Sequence, residues 1–209
     1  MSYQIKSIFY TLQGEGARAG RPSVFCRFTG CNLWSGREAH RDGAICRFCD
    51  TDFVGTDGPG GGVFADATAL ADAVAAAWPG GGAPYVVCTG GEPLLQLDEA
   101  LVAAFHGRGF EVAVETNGTR EPPPGVDWLC VSPKAGAPWA LTRGDELKLI
   151  YPQPGLMPDE IPATGFRHYC LQPMDEGGEP DHTAAAAEYC LAHPQWRLSL
   201  QTHKYLGLP

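Results

Sequence analysis

The chain has 209 residues, 44% hydrophobic and 19% charged, the composition of an ordinary globular domain; intrinsic disorder and collagen-like structure are excluded. Its length suits a single domain over 1–209 but falls short of the roughly 250 residues of a complete eight-fold β/α barrel. A formal net charge of −9 without a dense Lys/Arg stripe argues against nucleic acid or an anionic membrane as partner.

The N-terminus, Met1-Ser-Tyr-Gln-Ile-Lys6, lacks the apolar core of a signal peptide, and no apolar run approaches the ~18 residues of a spanning helix. A cytoplasmic location is expected. The first run rich in β-branched and aromatic residues is 23–28, which predicts a strand. A helix is predicted over 65–78, stopping at Pro79, then a strand over 85–88. A second helix covers 97–108 and ends at Gly109, followed by strands at 110–114, 128–131, 146–151 and 166–171. The last helix, 183–192, stops before Pro194, and the last strand is 196–200. The connections at 121–125, 134–145 and 152–164 are studded with Pro and Gly and read as crossovers with little or no helix.

This alternation predicts an α/β fold: a truncated, partial β/α barrel of about six parallel strands and three main helices. Polar residues collect just past the strand runs, in Thr89-Gly-Gly-Glu-Pro93, Glu115-Thr-Asn-Gly118, Ser132-Pro-Lys134, Gln172-Pro-Met-Asp175 and Gln201-Thr-His-Lys204. In a parallel barrel the C-terminal strand ends share one mouth, so these segments should converge there.

Eight cysteines in 209 residues are too sparse for a disulfide scaffold and are expected to stay reduced. Three of them, Cys31, Cys46 and Cys49, follow a Cys-x14-Cys-x2-Cys spacing, with the first just after the strand at 23–28 and a loop insertion over about 32–62. Thiolates are soft ligands that select zinc or iron–sulfur clusters. Three ligands on a four-iron cluster leave one iron free to bind something else. A zinc module using the same cysteines and His40 is the rival reading.

Residues 9–16 (Phe9-Tyr-Thr-Leu-Gln-Gly-Glu-Gly16), 22–32, 46–52, 89–93, 115–118, 132–134 and 172–175 together resemble the radical S-adenosylmethionine enzymes, and within them the 7-carboxy-7-deazaguanine synthase family of 7-deazapurine and queuosine biosynthesis. The wider superfamily spaces its cysteines Cys-x3-Cys-x2-Cys; here residues 32–45 intervene, an extended spacing that occurs in some members of the synthase family. A glycyl-radical activase is a second alternative, against which the Leu-Gln-Gly-Glu-Gly motif and the long spacing stand.

The resemblance implies ring contraction of 6-carboxy-5,6,7,8-tetrahydropterin to 7-carboxy-7-deazaguanine with loss of ammonia. In that chemistry a reduced cluster cleaves S-adenosylmethionine to a 5′-deoxyadenosyl radical, which takes hydrogen from the substrate and later returns it. It further implies that Cys31, Cys46 and Cys49 hold a [4Fe–4S] cluster whose open iron chelates the methionyl amine and carboxylate. Phe48, Cys49 and Asp50 would line the adenine edge, with a core aromatic as the competing reading of Phe48. Gly91 and Glu92 would serve the methionyl amine, although Glu92 also reads as an acidic residue at a helix start. Glu115 and Asn117 would contact ribose hydroxyls, Asn-Gly being also an ordinary turn. Ser132, Pro133, Lys134, Gln172, Pro173, Met174 and Asp175 would complete the cofactor site.

Substrate recognition is assigned by the same resemblance to Leu12, Gln13, Gly14, Glu15, Arg27 and Thr89, with Glu15 and Arg27 as the catalytic pair. Arg27 offers a planar fork for a carboxylate from within an apolar strand, where the alternative is pairing with a protein carboxylate. Thr51 would ligate Mg2+, though a turn hydroxyl is the simpler reading of its sequence. The chain ends within a few residues of the last strand, and the tail is expected to close the mouth, bringing His203 or the Pro209 carboxylate to the substrate. A homodimer and a flavodoxin or ferredoxin electron donor are the implied partners.

Overall fold

The computed structural model describes residues 2–162, 164–175 and 181–209. Strand β1 (Tyr3–Leu12) runs antiparallel to β2 (Pro22–Phe28) and to the short β3 (Gly62–Phe64). From β2 the sheet continues in chain order, every strand parallel to the last, through β4 (Tyr85–Gly90), β5 (Glu111–Thr116), β6 (Trp128–Val131), β7 (Arg143–Tyr151), β8 (Gly165–Pro173) and β9 (Trp196–Leu198). All seven expected runs are therefore strands, and β3 and β9 form the two unjoined edges of an opened, partial barrel.

Strands β1 and β3 are additions to the expected set. The alternation in β1 is broken by an irregularity between Ile5 and Ser7, which blurs the period-2 signal; β3 is only three residues long and opens on glycine. Helices α1 (Ala67–Ala77), α2 (Glu99–His106) and α3 (Thr183–Ala192) fall where predicted, and a fourth, α4 (Thr202–Leu206), forms in the tail. Asp66 and Asp98 cap α1 and α2 by accepting from the N–H groups of Ala69 (2.8 Å) and Leu101 (2.9 Å). Among the described residues the three Pro/Gly-rich crossovers carry no α-helix, only a 3-10 turn at Pro158–Glu160. No helix among them is long and apolar enough to cross a membrane.

Alternation along each strand divides the residues between two faces. In β2, Val24, Cys26 and Phe28 join the helix-side core, whereas Phe25 and Arg27 face the other way; in β7, Leu147 and Leu149 join that core while Lys148 and Ile150 do not. Leu70, Val74, Leu101 and Phe105 from the helices complete the main core. Each such fully buried side chain contributes roughly 1.5–3 kcal/mol, so most of the apolar stabilisation lies on this side. The opposite face carries only a small second cluster, Tyr85, Val87, Ala113, Trp128 and Cys130.

The loop after β1 covers the N-terminal ends of the parallel strands. Arg18 and Arg21 pair with Glu111 at the start of β5 (3.0 and 2.5 Å) and stack over Trp128 (4.2 Å) and Tyr85 (3.7 Å) respectively. The same loop is pinned by Ser199 Oγ, which accepts from the Gly16 N–H (2.8 Å), and by Glu146, which accepts from the Ala17 N–H (3.0 Å). One end of the half-barrel is thereby floored, and the C-terminal strand ends form its mouth.

Candidate active site

The helix-free face of the sheet, the floor loop and the tail enclose a cavity of about 510 Å³. Every residue the resemblance assigns to the site lines it except Glu92 and Pro133; His40, of the rival zinc reading, does not.

The cysteines reach it from two segments. Cys31 stands just past β2, while Cys46 and Cys49 return at the end of an excursion without helix or strand apart from a 3-10 turn at Glu38–His40. Arg41 fixes that excursion: it stacks on Trp34 (4.1 Å) and donates to the carbonyls of Arg47 (2.7 Å) and Cys49 (3.2 Å). All three thiols are free. The Leu33 N–H points at Cys31 Sγ (3.4 Å), and the Thr51 N–H at Cys49. A hydrogen bond from Cys46 draws the Cys49 thiol down to about 6 against the effect of burial, and the same bond pushes Cys46 up. Burial raises Cys31.

A backbone cradle lies beside them. Gly91 passes so close to the cluster segment that a Cβ there would strike the Gly30 carbonyl and the Cys31 side chain. Glu92 sits behind this wall, fully buried, with its carboxylate accepting from the Leu94 N–H (3.0 Å), Thr116 Oγ1 (2.8 Å) and the Asn117 N–H (2.8 Å). Burial raises its pKa despite those bonds. Glu92 thus locks the Gly90–Gly91 turn to the end of β5. Asn117 in turn donates to Asn32 Oδ1 (3.0 Å), joining β5 to the cluster segment.

Three reduced thiols, two of them facing N–H donors, beside a glycine cradle and an open cavity, fit an iron–sulfur cluster with a nucleoside-sized ligand. Among the described residues no three His, Cys, Asp or Glu side chains form a single-ion cage, and His40 is exposed and bonded to Ser35 (2.9 Å). The zinc module is not favoured.

Farther round the wall, Lys134 folds back onto the Ser132 carbonyl (2.6 Å) and hydroxyl (2.7 Å), and burial lowers its pKa. Pro133 lies behind, its carbonyl accepting from Gln153 (3.4 Å). Gln172 accepts from Ser199 Oγ (3.0 Å), the hydroxyl that also holds Gly16. Pro173, Met174 and Asp175 continue along the rim.

The floor is built from buried charge. Lys148 Nζ contacts Glu15 Oε2 (2.5 Å) and Glu115 Oε2 (2.7 Å). The remaining oxygens accept from Gln201 Nε2 (3.0 Å, on Glu15) and Gln13 Nε2 (3.1 Å, on Glu115). Burial works against the charge on Glu15, yet Lys148 and the Gln201 amide bring its carboxyl down to about 2. Burial likewise disfavours the Lys148 ammonium, but Glu115 and Glu15 hold its pKa well above the usual range. Glu115 therefore belongs to the floor network, whereas the sequence suggested only a ribose contact.

Arg27 faces the cavity from β2 beside Phe9, its guanidinium 5.9 Å from the ring centre. Among the described residues it makes no ion pair within 4.0 Å; burial lowers its pKa, with Asp50, Glu15 and Asp52 acting against that from a distance. Thr89 stands on the adjacent strand, in register with Arg27. Thr51 and Asp52 both line the same cavity, and the Asp52 carboxylate pairs with Lys6 (2.9 Å).

The tail closes one side. Thr202 donates from both its N–H and its Oγ1 to the Gly14 carbonyl (2.9 Å each), and Thr11 Oγ1 donates to the Pro209 carboxylate (3.2 Å). His203 packs against Gly14 where a Cβ would collide with its ring. Burial lowers the His203 pKa.

Lys148 and Arg41 were not among the residues expected from sequence; Gln201 and Lys204 were expected only as part of a polar segment at the mouth, and Thr11 only as part of the 9–16 motif. Lys148 had a signal: in Glu146-Leu-Lys-Leu-Ile150, charges alternate with apolar residues inside a strand, which places both on one face.

Comparison with known proteins adds an independent line. Residues 40–138 match the radical SAM superfamily. The whole chain is 64% identical to the 7-carboxy-7-deazaguanine synthase of Bordetella pertussis and 62% identical to that of Caulobacter vibrioides, covering 100% of each. The crystal structure of QueE from Escherichia coli has a similar fold, with a TM-score of 0.71 at 27% identity over 97% of this chain and 95% of that one.

Proposed function

The chain belongs to the 7-carboxy-7-deazaguanine synthase family of radical S-adenosylmethionine enzymes, and we propose that its cavity performs that family's ring contraction on 6-carboxytetrahydropterin. The observation that carries this reading is the presence in one cavity of three reduced cysteines and a partly buried, cavity-facing Arg27 without an ion-pair partner among the described residues.

Cys31, Cys46 and Cys49 would hold a [4Fe–4S] cluster, and the wall from Phe48, Asp50 and Gly91 through Asn117, Ser132 and Lys134 to Gln172–Asp175 would hold S-adenosylmethionine. Glu92 and Pro133 act from behind that wall. When bound, the two groups supply the radical that takes hydrogen from the substrate. The chain's own residues decide what is presented to it. Arg27 receives the substrate carboxylate on its planar fork, and its desolvation makes that pairing strong. Glu15, ionised at every physiological pH, acts only as an acceptor and suits the N–H edge of an amino-pyrimidinone together with the backbone of Leu12, Gln13 and Gly14. It cannot donate the proton that leaves with ammonia. Thr89, His203 and the Pro209 carboxylate close the remaining sides, and Thr51 is placed to ligate Mg2+ next to the substrate carboxylate.

A homodimer is proposed from the unjoined β9 edge, beside which Leu191 and Leu198 are exposed. An acidic flavodoxin or ferredoxin would reach the cluster over the excursion, where Arg37 and Arg47 are exposed on an otherwise acidic chain. The direct test is anaerobic incubation of the reconstituted protein with reductant, S-adenosylmethionine, Mg2+ and 6-carboxytetrahydropterin. Carboxydeazaguanine and ammonia in equal amounts are expected; their absence from cluster-loaded protein would refute the reading.

A further inference from the structure

Among the described residues, a handful of side-chain and backbone contacts attach the tail to the rest of the protein. Thr202 and Gln201 hold it to the substrate loop through Gly14 and Glu15, and Thr11 holds its last residue to β1. The outer side of α4 is bare, with Tyr205 and Leu206 exposed to 73% and 61%. Lys204 makes the remaining link. Its ammonium spans Asp50 Oδ2 (2.9 Å), next to the cluster ligand Cys49, and Asp175 Oδ2 (2.5 Å), at the end of the β8 rim. Gln201 reaches Asp50 as well, but only at 3.5 Å.

Asp50 and Asp175 come from separate loops, 125 positions apart in the sequence, and both line the space assigned to the cofactor. Lys204 is the neighbour of His203 and belongs to the segment that carries Pro209 to the substrate. We propose that Lys204 is a positioning residue that couples the cofactor half of the cavity to the substrate half. This rests on the functional reading above. A ligand in the cofactor space touches both loops and so acts on the spacing of the Asp50 and Asp175 carboxylates. That spacing decides whether one ammonium can bridge both, and the bridge decides where α4 holds His203 and Pro209. Single exposed ion pairs contribute little to overall stability. One cation joining two loops to a thinly held tail instead acts on the difference between open and closed arrangements. Such coupling is reciprocal: if the cofactor improves substrate binding, the substrate improves cofactor binding by the same factor.

The test measures binding rather than turnover. With the cluster assembled anaerobically and left unreduced, the dissociation constant of 6-carboxytetrahydropterin is measured by calorimetry with and without saturating S-adenosylmethionine. The wild-type chain is expected to bind the pterin about tenfold more tightly when the cofactor is present. In Lys204→Gln that factor should fall to about one or two, while Lys204→Arg, whose guanidinium can span both carboxylates, should keep most of it. In turnover, Lys204→Gln should raise KM for the pterin and leave kcat nearly unchanged. A coupling factor near one in the wild type, or full coupling in Lys204→Gln, would overturn the proposal. A wild-type protein that binds neither ligand would refute the functional reading itself, and the coupling with it.

Discussion

Along the cofactor wall, the site is made of close sequence spacing and backbone: two cysteines three residues apart, a glycine turn, and strand-end segments that a parallel sheet brings to one rim. Across the floor it is made of side-chain charge gathered from far away, with Lys148 joined to Glu15 over 133 positions and to Glu115 over 33. The wall lines the space proposed for the cluster and S-adenosylmethionine. The floor's charges are balanced within the protein: Lys148 is 6% exposed and the Glu15 and Glu115 side chains 18% each, so each is tolerable largely because the others are present.

The largest expected effect separates the two regions outright. Cys46→Ala should abolish cluster assembly and all turnover while leaving the floor and the helix-side core folded. Iron and sulfide analysis after reconstitution, alongside thermal unfolding of the unloaded protein, checks both halves of that statement. A stoichiometric cluster in the variant would break the assignment of the wall.

Lys148→Met should do the reverse, damaging the fold more than the cluster. Removing the ammonium leaves two buried carboxylates uncompensated, at a cost of about 3–5 kcal/mol, and Glu15→Gln with Glu115→Gln should recover part of it. The pH dependence has a definite sign. The Glu15 pKa is lowered on folding, so its contribution is fully present above the ordinary carboxylate range of about 4.3 and is lost as pH falls towards about 2. Lys148 is raised, so its share is present below the ordinary lysine range and disappears only as pH climbs through its elevated value. Between the two ranges the network contributes a plateau. Urea unfolding across pH should show the acid limb shrinking in Glu15→Gln; an unchanged limb would mean that the carboxyl is not held by Lys148.

This division also decides what could be read from the sequence. Seven strands and three helices follow from apolar runs and their stops, and the wall follows because Cys46 and Cys49, or Gly90 and Gly91, are neighbours in the chain. The family resemblance then supplied partners for Arg27 and Glu15. What stayed hidden depends on packing across the half-barrel. Nothing local in Glu115 distinguishes a ribose contact from a partner for Lys148, and Glu92 reads as an acidic residue at a helix start until β5 is seen to wrap its carboxylate with Thr116 and Asn117. Strand β1 was obscured by its own irregular register, and α4 by being only five residues long.

The smallest expected effect tests how many charges the floor holds. Glu146 faces the same side of β7 as Lys148 and is 2% exposed; one oxygen accepts from the Ala17 N–H, and among the described residues the carboxylate otherwise meets only the thiols of Cys130 and Cys170. Burial raises its pKa, and although Lys148 opposes this, nearby Glu115 adds to it. A raised carboxyl has the opposite pH signature to Glu15: its contribution is fully present below the ordinary range and is lost as pH rises through the elevated value. Glu146→Gln keeps the acceptor for Ala17 and removes only the titration. Stability at acid pH should therefore stay within about 1 kcal/mol of wild type, with a relative gain as pH rises. A protonated-carboxyl stretch in the infrared spectrum that persists to higher pH than those of exposed carboxyls should vanish in the same variant. If Glu146→Gln instead costs as much as Lys148→Met at acid pH, the upward direction of the Glu146 titration, opposite to that of Glu15 on the same network, is wrong.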